Sequence, residues 1–264
     1  MDFALLYALT GAFVGLLAGL LGVGGGLVIV PVLSLAFAAQ HFPDGHILHL
    51  AIGTSLASIL FTSLSSLRAH HSHGAVDWRI VGVITPGIVL GTLAGSLLAS
   101  HLSTPFLKGF FVCFELYVGT QMLLNLRPKP SRQLPSPPGM LAAGGVIGGV
   151  SSLVGIGGGT LSVPFMTWCN ISMHRAIGTS AAIGFPIALA GTAAYIASGL
   201  KVADLPAASV GFLYLPALAG LAAASMLTAP FGARLAHRLP VAKLKKAFAF
   251  LLYVLAIRMA SDLL

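Results

Sequence analysis

The stretch Gly22-Val-Gly-Gly-Gly-Leu-Val-Ile-Val-Pro31 decides the fold, because the chain carries it again, 133 residues on, as Gly155-Ile-Gly-Gly-Gly-Thr-Leu-Ser-Val-Pro164. Each copy lies in a long apolar run, and residues 3–39 and 139–173 hold no charged side chain. Glycine costs a helix roughly 1 kcal/mol per residue relative to alanine, so each cluster predicts a broken helix. Inside a bilayer such a break survives only where protein or a water-filled cavity surrounds it. Two matching breaks in two matching halves point to the binding site of a transporter built from repeats.

Composition supports a membrane setting. Of 264 residues, 57% are hydrophobic and 8% charged, whereas a soluble domain carries about 25% charged residues. Apolar runs long enough to span a bilayer recur from end to end. The alternating segments of about ten residues that mark a transmembrane barrel are missing. The opening Met1-Asp2-Phe3 lacks the basic start of a signal peptide. The net charge of +8 reads as membrane topology rather than nucleic-acid binding. Cys113 and Cys169 both fall in apolar surroundings and read as buried thiols.

In the first half the spacing predicts a broken element over 4–39, then helices over 47–67, 79–100 and 105–125. Residues 126–138 form a Pro-rich polar linker, expected on the cytoplasmic side, between membrane repeats 1–125 and 139–264. The second half repeats the plan, with a broken element over 139–168 and helices over 175–198, 206–230 and 243–262. His49-Leu-Ala-Ile-Gly-Thr-Ser55 recurs as His174-Arg-Ala-Ile-Gly-Thr-Ser180, offset by 125. Pro86-Gly87 is matched roughly to Pro216-Ala217, and residues 102–111 loosely to 239–248.

Charge orients the halves. If each broken element crosses once, the 14 Lys and Arg divide equally between the two faces. If each folds back as a hairpin, the repeats are inverted. Arg68, Arg79, Arg127, Lys129, Arg132, Arg175, Arg234, Arg238, Lys243, Lys245 and Lys246 then share one face, with only Lys108, Lys201 and Arg258 opposite. The second arrangement obeys the positive-inside rule and the first does not. The expectation is therefore an all-α polytopic inner-membrane protein of two inverted repeats, each a Gly-broken hairpin plus three helices, with both termini outside. Whether the hairpins fully span or re-enter is open.

A helix restarting after each break offers unpaired N–H groups and a partial positive charge, which suit an anion. The substrate-binding candidates are Gly22, Gly24, Gly25 and Gly26 with Thr54 and Ser55, and Gly155, Gly157, Gly158, Gly159 and Thr160 with Thr179 and Ser180. Thr and Ser in these positions can equally bond back to helix carbonyls. Gly87, Gly91 and Gly95, spaced by four, read as helix packing.

At these residues the chain resembles the TauE/SafE sulfite exporter family. The resemblance rests on the paired glycine motifs ending in Val-Pro, the repeated Ala-Ile-Gly-Thr-Ser, and four plus four hydrophobic elements around a polar linker. It implies export of a small sulfur oxyanion such as sulfite or an organosulfonate like sulfoacetate. Thr160, where the first copy has Leu27, departs from symmetry.

Glu115, within a predicted span, and His49, His174 and Arg175 are the candidates for coupling or gating. Coupling would bring in a proton or cation besides the anion and the bilayer. His70, His71 and His73 lack the carboxylate or thiol that would complete a metal site, so no metal is expected. There is no phosphate loop, no Rossmann fingerprint and no His-Glu-x-x-His, so neither cofactor nor enzyme is expected. Secondary export by alternating access is the leading reading. An anion channel of the same fold and an intramembrane scaffold subunit are the alternatives.

Overall fold

The computed structural model describes residues 3–22, 25–125, 130–236 and 241–262. Ten helices appear there: α1 (Phe3–Leu21), α2 (Gly26–Ala39), α3 (Ile47–Ser72), α4 (Trp78–Ser100), α5 (Thr104–Leu123), α6 (Pro137–Val154), α7 (Gly159–Trp168), α8 (Met173–Gly199), α9 (Leu215–Ala236) and α10 (Val241–Ser261). Seven described helices are long and apolar enough to cross a membrane. The chain is an all-α polytopic membrane protein.

Both broken elements fold back. Gln40, just past α2, donates from Nε2 to the hydroxyl of Tyr7 near the start of α1, at 2.7 Å. Trp168 at the end of α7 donates from Nε1 to Ser131, just ahead of α6, at 3.1 Å. The limbs are unequal. At 1.5 Å per residue α1 and α6 run for about 28 and 27 Å, but α2 and α7 for only about 21 and 15 Å. The first limb of each is long enough to cross a membrane, and the second is shorter.

The halves pack by exchange. Helix α1 lies mainly on α9, and α6 on α4. Glycines make both seams: Gly11, Gly15 and Gly19 sit against Leu221, Ser225 and Ala229, while Gly87, Gly91 and Gly95 sit against Leu141, Gly145 and Gly149. A side chain at any of them would strike a backbone carbonyl or Cα opposite, so the packing reading of Gly87, Gly91 and Gly95 holds. Corresponding helices run antiparallel. Gly53 meets Tyr195 and Gly184 meets Ser63 along α3 and α8. Along α5 and α10, Thr120 bonds Tyr253 and Lys108 bonds Asp262.

One end of the molecule carries the starts of α3 and α5 and the end of α10, where Thr104 donates to the Gly45 carbonyl and Lys108 pairs with Asp262. The other carries the end of α3 and the starts of α4 and α8, tied by Arg175 on Asp77 at 3.1 Å.

Four local expectations need correction. The helix predicted over 206–230 starts only at Leu215, because residues 209–214 form a two-stranded hairpin turning at Gly211, φ 55°. The loop read over 68–79 is shorter, since α3 continues to Ser72. Gly11 lies on Leu221 as Gly144 lies on Ile84, making Ile84 and Leu221 equivalent. Pro86 therefore corresponds to Ala223, not Pro216. Cys169 is buried as read, but Cys113 is exposed, because its side of α5 faces away from the bundle.

Candidate functional site

The two glycine clusters adopt the same backbone. Gly22 and Gly155 close the first limbs at φ 67° and 74°, and Gly25 and Gly158 cap the second limbs at φ 76° and 74°. A side chain is costly in this left-handed region, which explains glycine at these four positions. Gly26, the first residue of α2, serves another purpose: a Cβ there would collide with the Gly155 carbonyl. The two breaks thus touch inside the protein. Gly159 begins α7, and Gly24 lies outside the described residues.

The repeated Ala-Ile-Gly-Thr-Ser motifs grip the opposite half. Ser55 donates to the Gly155 carbonyl at 2.8 Å, and Ser180 donates to the Gly22 carbonyl at 3.1 Å. Ile52 packs on Gly155 as Ile177 packs on Gly22. The Thr54 hydroxyl accepts the N–H of Tyr214 just before α9, and that of Thr179 accepts the N–H of Asp77 just before α4. Gly53 and Gly178 lie on the carbonyls of Phe212 and Ala75 in the same two loops. Neither Ser55 nor Ser180 bonds back along its own helix, and each spends its proton on a carbonyl. Both can still accept a hydrogen bond, and Ser162 already donates to Ser180 at 3.0 Å.

Other polar groups at the breaks lack partners among the described residues. Among the described residues no acceptor is recorded for the N–H groups of Gly26 and Leu27 in α2, or of Gly159 and Thr160 in α7. The hydroxyls of Thr160 and Ser151, both on the second break's hairpin, are buried without a partner. A narrow cavity of about 10 Å³, room for roughly one water, is lined by Gly22, Gly157, Ser180, Thr62, Ser63 and Ser66. Along α3 its lining runs from Ile59 to Ser66, toward the end bearing Arg175. Ser58 and Ser66 add buried hydroxyls without a partner. Ser55, Ser58, Thr62 and Ser66 recur every three or four residues, one stripe of a helix. That spacing is visible in the sequence, yet only Ser55 was singled out.

The coupling and gating candidates scatter. Glu115 is fully buried in α5, and neither carboxyl oxygen has a partner among the described residues. His49 is buried at the start of α3, with Nε2 at 3.0 Å from the Ala99 carbonyl. His174 and Arg175 are exposed at the start of α8, on the other end. Arg175 pairs with Asp77, whose carboxylate also accepts the N–H groups of Arg79 and Ile80 and so caps α4. No cluster of three or more metal-ligating side chains occurs among the described residues.

The chain matches the family described as "Sulfite exporter TauE/SafE" over residues 7–259. A probable membrane transporter protein of Haemophilus influenzae is 38% identical, covering 97% of this chain and 98% of the relative. The probable membrane transporter protein YunE of Bacillus subtilis is 30% identical over 75% of this chain and 80% of its own length. One from Methanocaldococcus jannaschii is 26% identical, over 74% of this chain and 73% of its own. No solved structure matches. With the match covering nearly all of its length, the chain belongs to the TauE/SafE family of membrane transporters.

Proposed function

We propose that the protein is a secondary transporter of the plasma membrane that exports a small sulfur-containing anion, sulfite or an organosulfonate such as sulfoacetate, by alternating access. The observation that carries this reading is that the start of α2 abuts the break ahead of α7, Gly26 on Gly155, with two N–H groups at each of these helix starts lacking an acceptor among the described residues. Helix starts bind anions without a buried Lys or Arg, and the Thr160 hydroxyl is a further donor there. Gly22, Gly24, Gly25 and Gly26 with their second-half counterparts form the site. Ser55, Ser180, Thr54 and Thr179 hold it together from the opposite half. The antiparallel run of α3 and α8 supports the reading of the halves as inverted repeats. Arg68, Arg79, Arg132, Arg175 and Arg234 mark the cytoplasmic face by the positive-inside rule, with both termini outside. The hydroxyl-lined cavity is then the inner route to the site. Glu115 is the proton carrier that coupling would use.

The test is flux and binding. Reconstituted protein is assayed with sulfite, sulfoacetate, sulfate, thiosulfate and chloride, alongside Gly158→Val. Uphill, proton-driven movement of a sulfur anion, lost in a folded Gly158→Val protein, is the expected result. Downhill flux alone makes the protein a channel, and an absence of flux with every anion overturns the transport reading.

A further inference from the structure

A second, larger chamber of about 650 Å³ opens at the end opposite the hydroxyl-lined cavity. Its walls carry His46 and His49 at the start of α3, His101 just past α4, Lys201 just past α8, and Phe212 from the strand hairpin. No carboxylate lines it among the described residues. Asp44 lines a neighbouring cavity with Lys108, Arg258 and Asp262, and Asp204 is exposed outside the lining. Phe212 stacks on His49, with centroids 5.1 Å apart, and lies 5.7 Å from His46. The His49 Nε2 contact with Ala99 leaves Nδ1 buried without a partner among the described residues, and His46 Nδ1 is the same.

The repeat does not require this chamber. At the opposite end Gly178 seats the matching loop just as Gly53 seats this one. Yet the residue equivalent to Phe212 is Ala75, and the one equivalent to His46 is Ile171. His46 and the aromatic wall thus belong to one end of a two-ended scaffold, whereas His49 has its counterpart in His174. The ends of α4 and α8 open here, beside His101 and Lys201. The start of α3 presents N–H groups to the same space.

We propose that this chamber is a second anion site, where a sulfur oxyanion or organosulfonate docks outside the central breaks, held by Lys201 and by imidazole N–H groups. Lys201 supplies a fixed charge, and the imidazoles of His46, His49 and His101 supply N–H donors. Released anion is thereby held at the exit. The central site is not needed for docking here.

The test uses purified full-length protein with Cys113 and Cys169 replaced by serine and Ser198, on the chamber wall, replaced by cysteine. Labelling by a charged methanethiosulfonate is followed with and without sulfoacetate or sulfate, as a ratio at each concentration. Both anions should slow labelling, each in proportion to its concentration. Protection should vanish in Lys201→Gln/His101→Gln, both exposed positions, and persist in Gly158→Val. Protection lost in Gly158→Val as well would tie the effect to the central site and overturn a separate one. A labelling rate indifferent to either anion overturns the proposal. So does suppression by phosphatidylglycerol nanodiscs alone, which would assign the chamber to a lipid headgroup.

Discussion

The two glycine breaks share a backbone and differ in side chains. Positive φ falls at the same two positions in each, and each is clamped by a serine of the other half. Around that common frame, Leu27 follows the first break where Thr160 follows the second, Ile29 corresponds to Ser162, and Ala18 to Ser151. Along α3 the stripe Ser55, Ser58, Thr62, Ser66 is hydroxyl throughout, whereas α8 has Ser180, Ile183, Ile187, Gly191. Glu115 answers to Leu252, and both are fully buried. Symmetry is kept where geometry closes the fold and dropped where a ligand would be met.

The sharpest way to break this comparison is to overload the frame. Gly26→Val drives a side chain into the Gly155 carbonyl. Because backbone cannot yield as a side-chain tip does, transport should fall by at least about 100-fold, with a loss of stability of roughly 3 kcal/mol, at the upper end of single-site effects. Flux and thermal unfolding in detergent measure both. A Gly26→Val protein with normal flux would show that the breaks do not meet in the working state.

Removing one clamp is milder. Ser55→Ala and Ser180→Ala each leave a buried carbonyl without its donor, for about 1–2 kcal/mol. Ser180→Ala should cost more, because Ser162 loses its acceptor too. Equal effects would mean that the Ser162 contact contributes nothing. Smaller still, Arg175→Gln should lower stability by less than about 1 kcal/mol, since the Arg175 side chain is 56% exposed beside Asp77. A larger loss of flux than of stability would give Arg175 a role beyond holding the α4 cap.

The frame was legible in the sequence and the contacts were not. Repeated glycines locate both breaks, and the distribution of Lys and Arg points to hairpins rather than single crossings. The Gly-Thr-Ser motifs announce themselves by repetition. Their partners, however, lie 100 and 158 residues away for Ser55 and Ser180, and no local spacing encodes a bond across halves. Short strands within the Ala-rich run before Leu215 gave no alternation to read. The offset from Pro86 to Pro216 misled because it matched residue types, where helix packing matches positions.

Exchange between halves has a consequence for synthesis. Helix α1 emerges first, yet the helix it packs on, α9, is among the last made, and Ser55 waits for Gly155. A nascent chain holding only residues 1–125 therefore offers glycine seams and hydroxyls with nothing to meet, a state prone to rearrange or be degraded. The same exchange means that the two halves, made as separate polypeptides in one cell, supply each other's missing surfaces. Such split chains should assemble into a working protein, whereas either half alone should not persist.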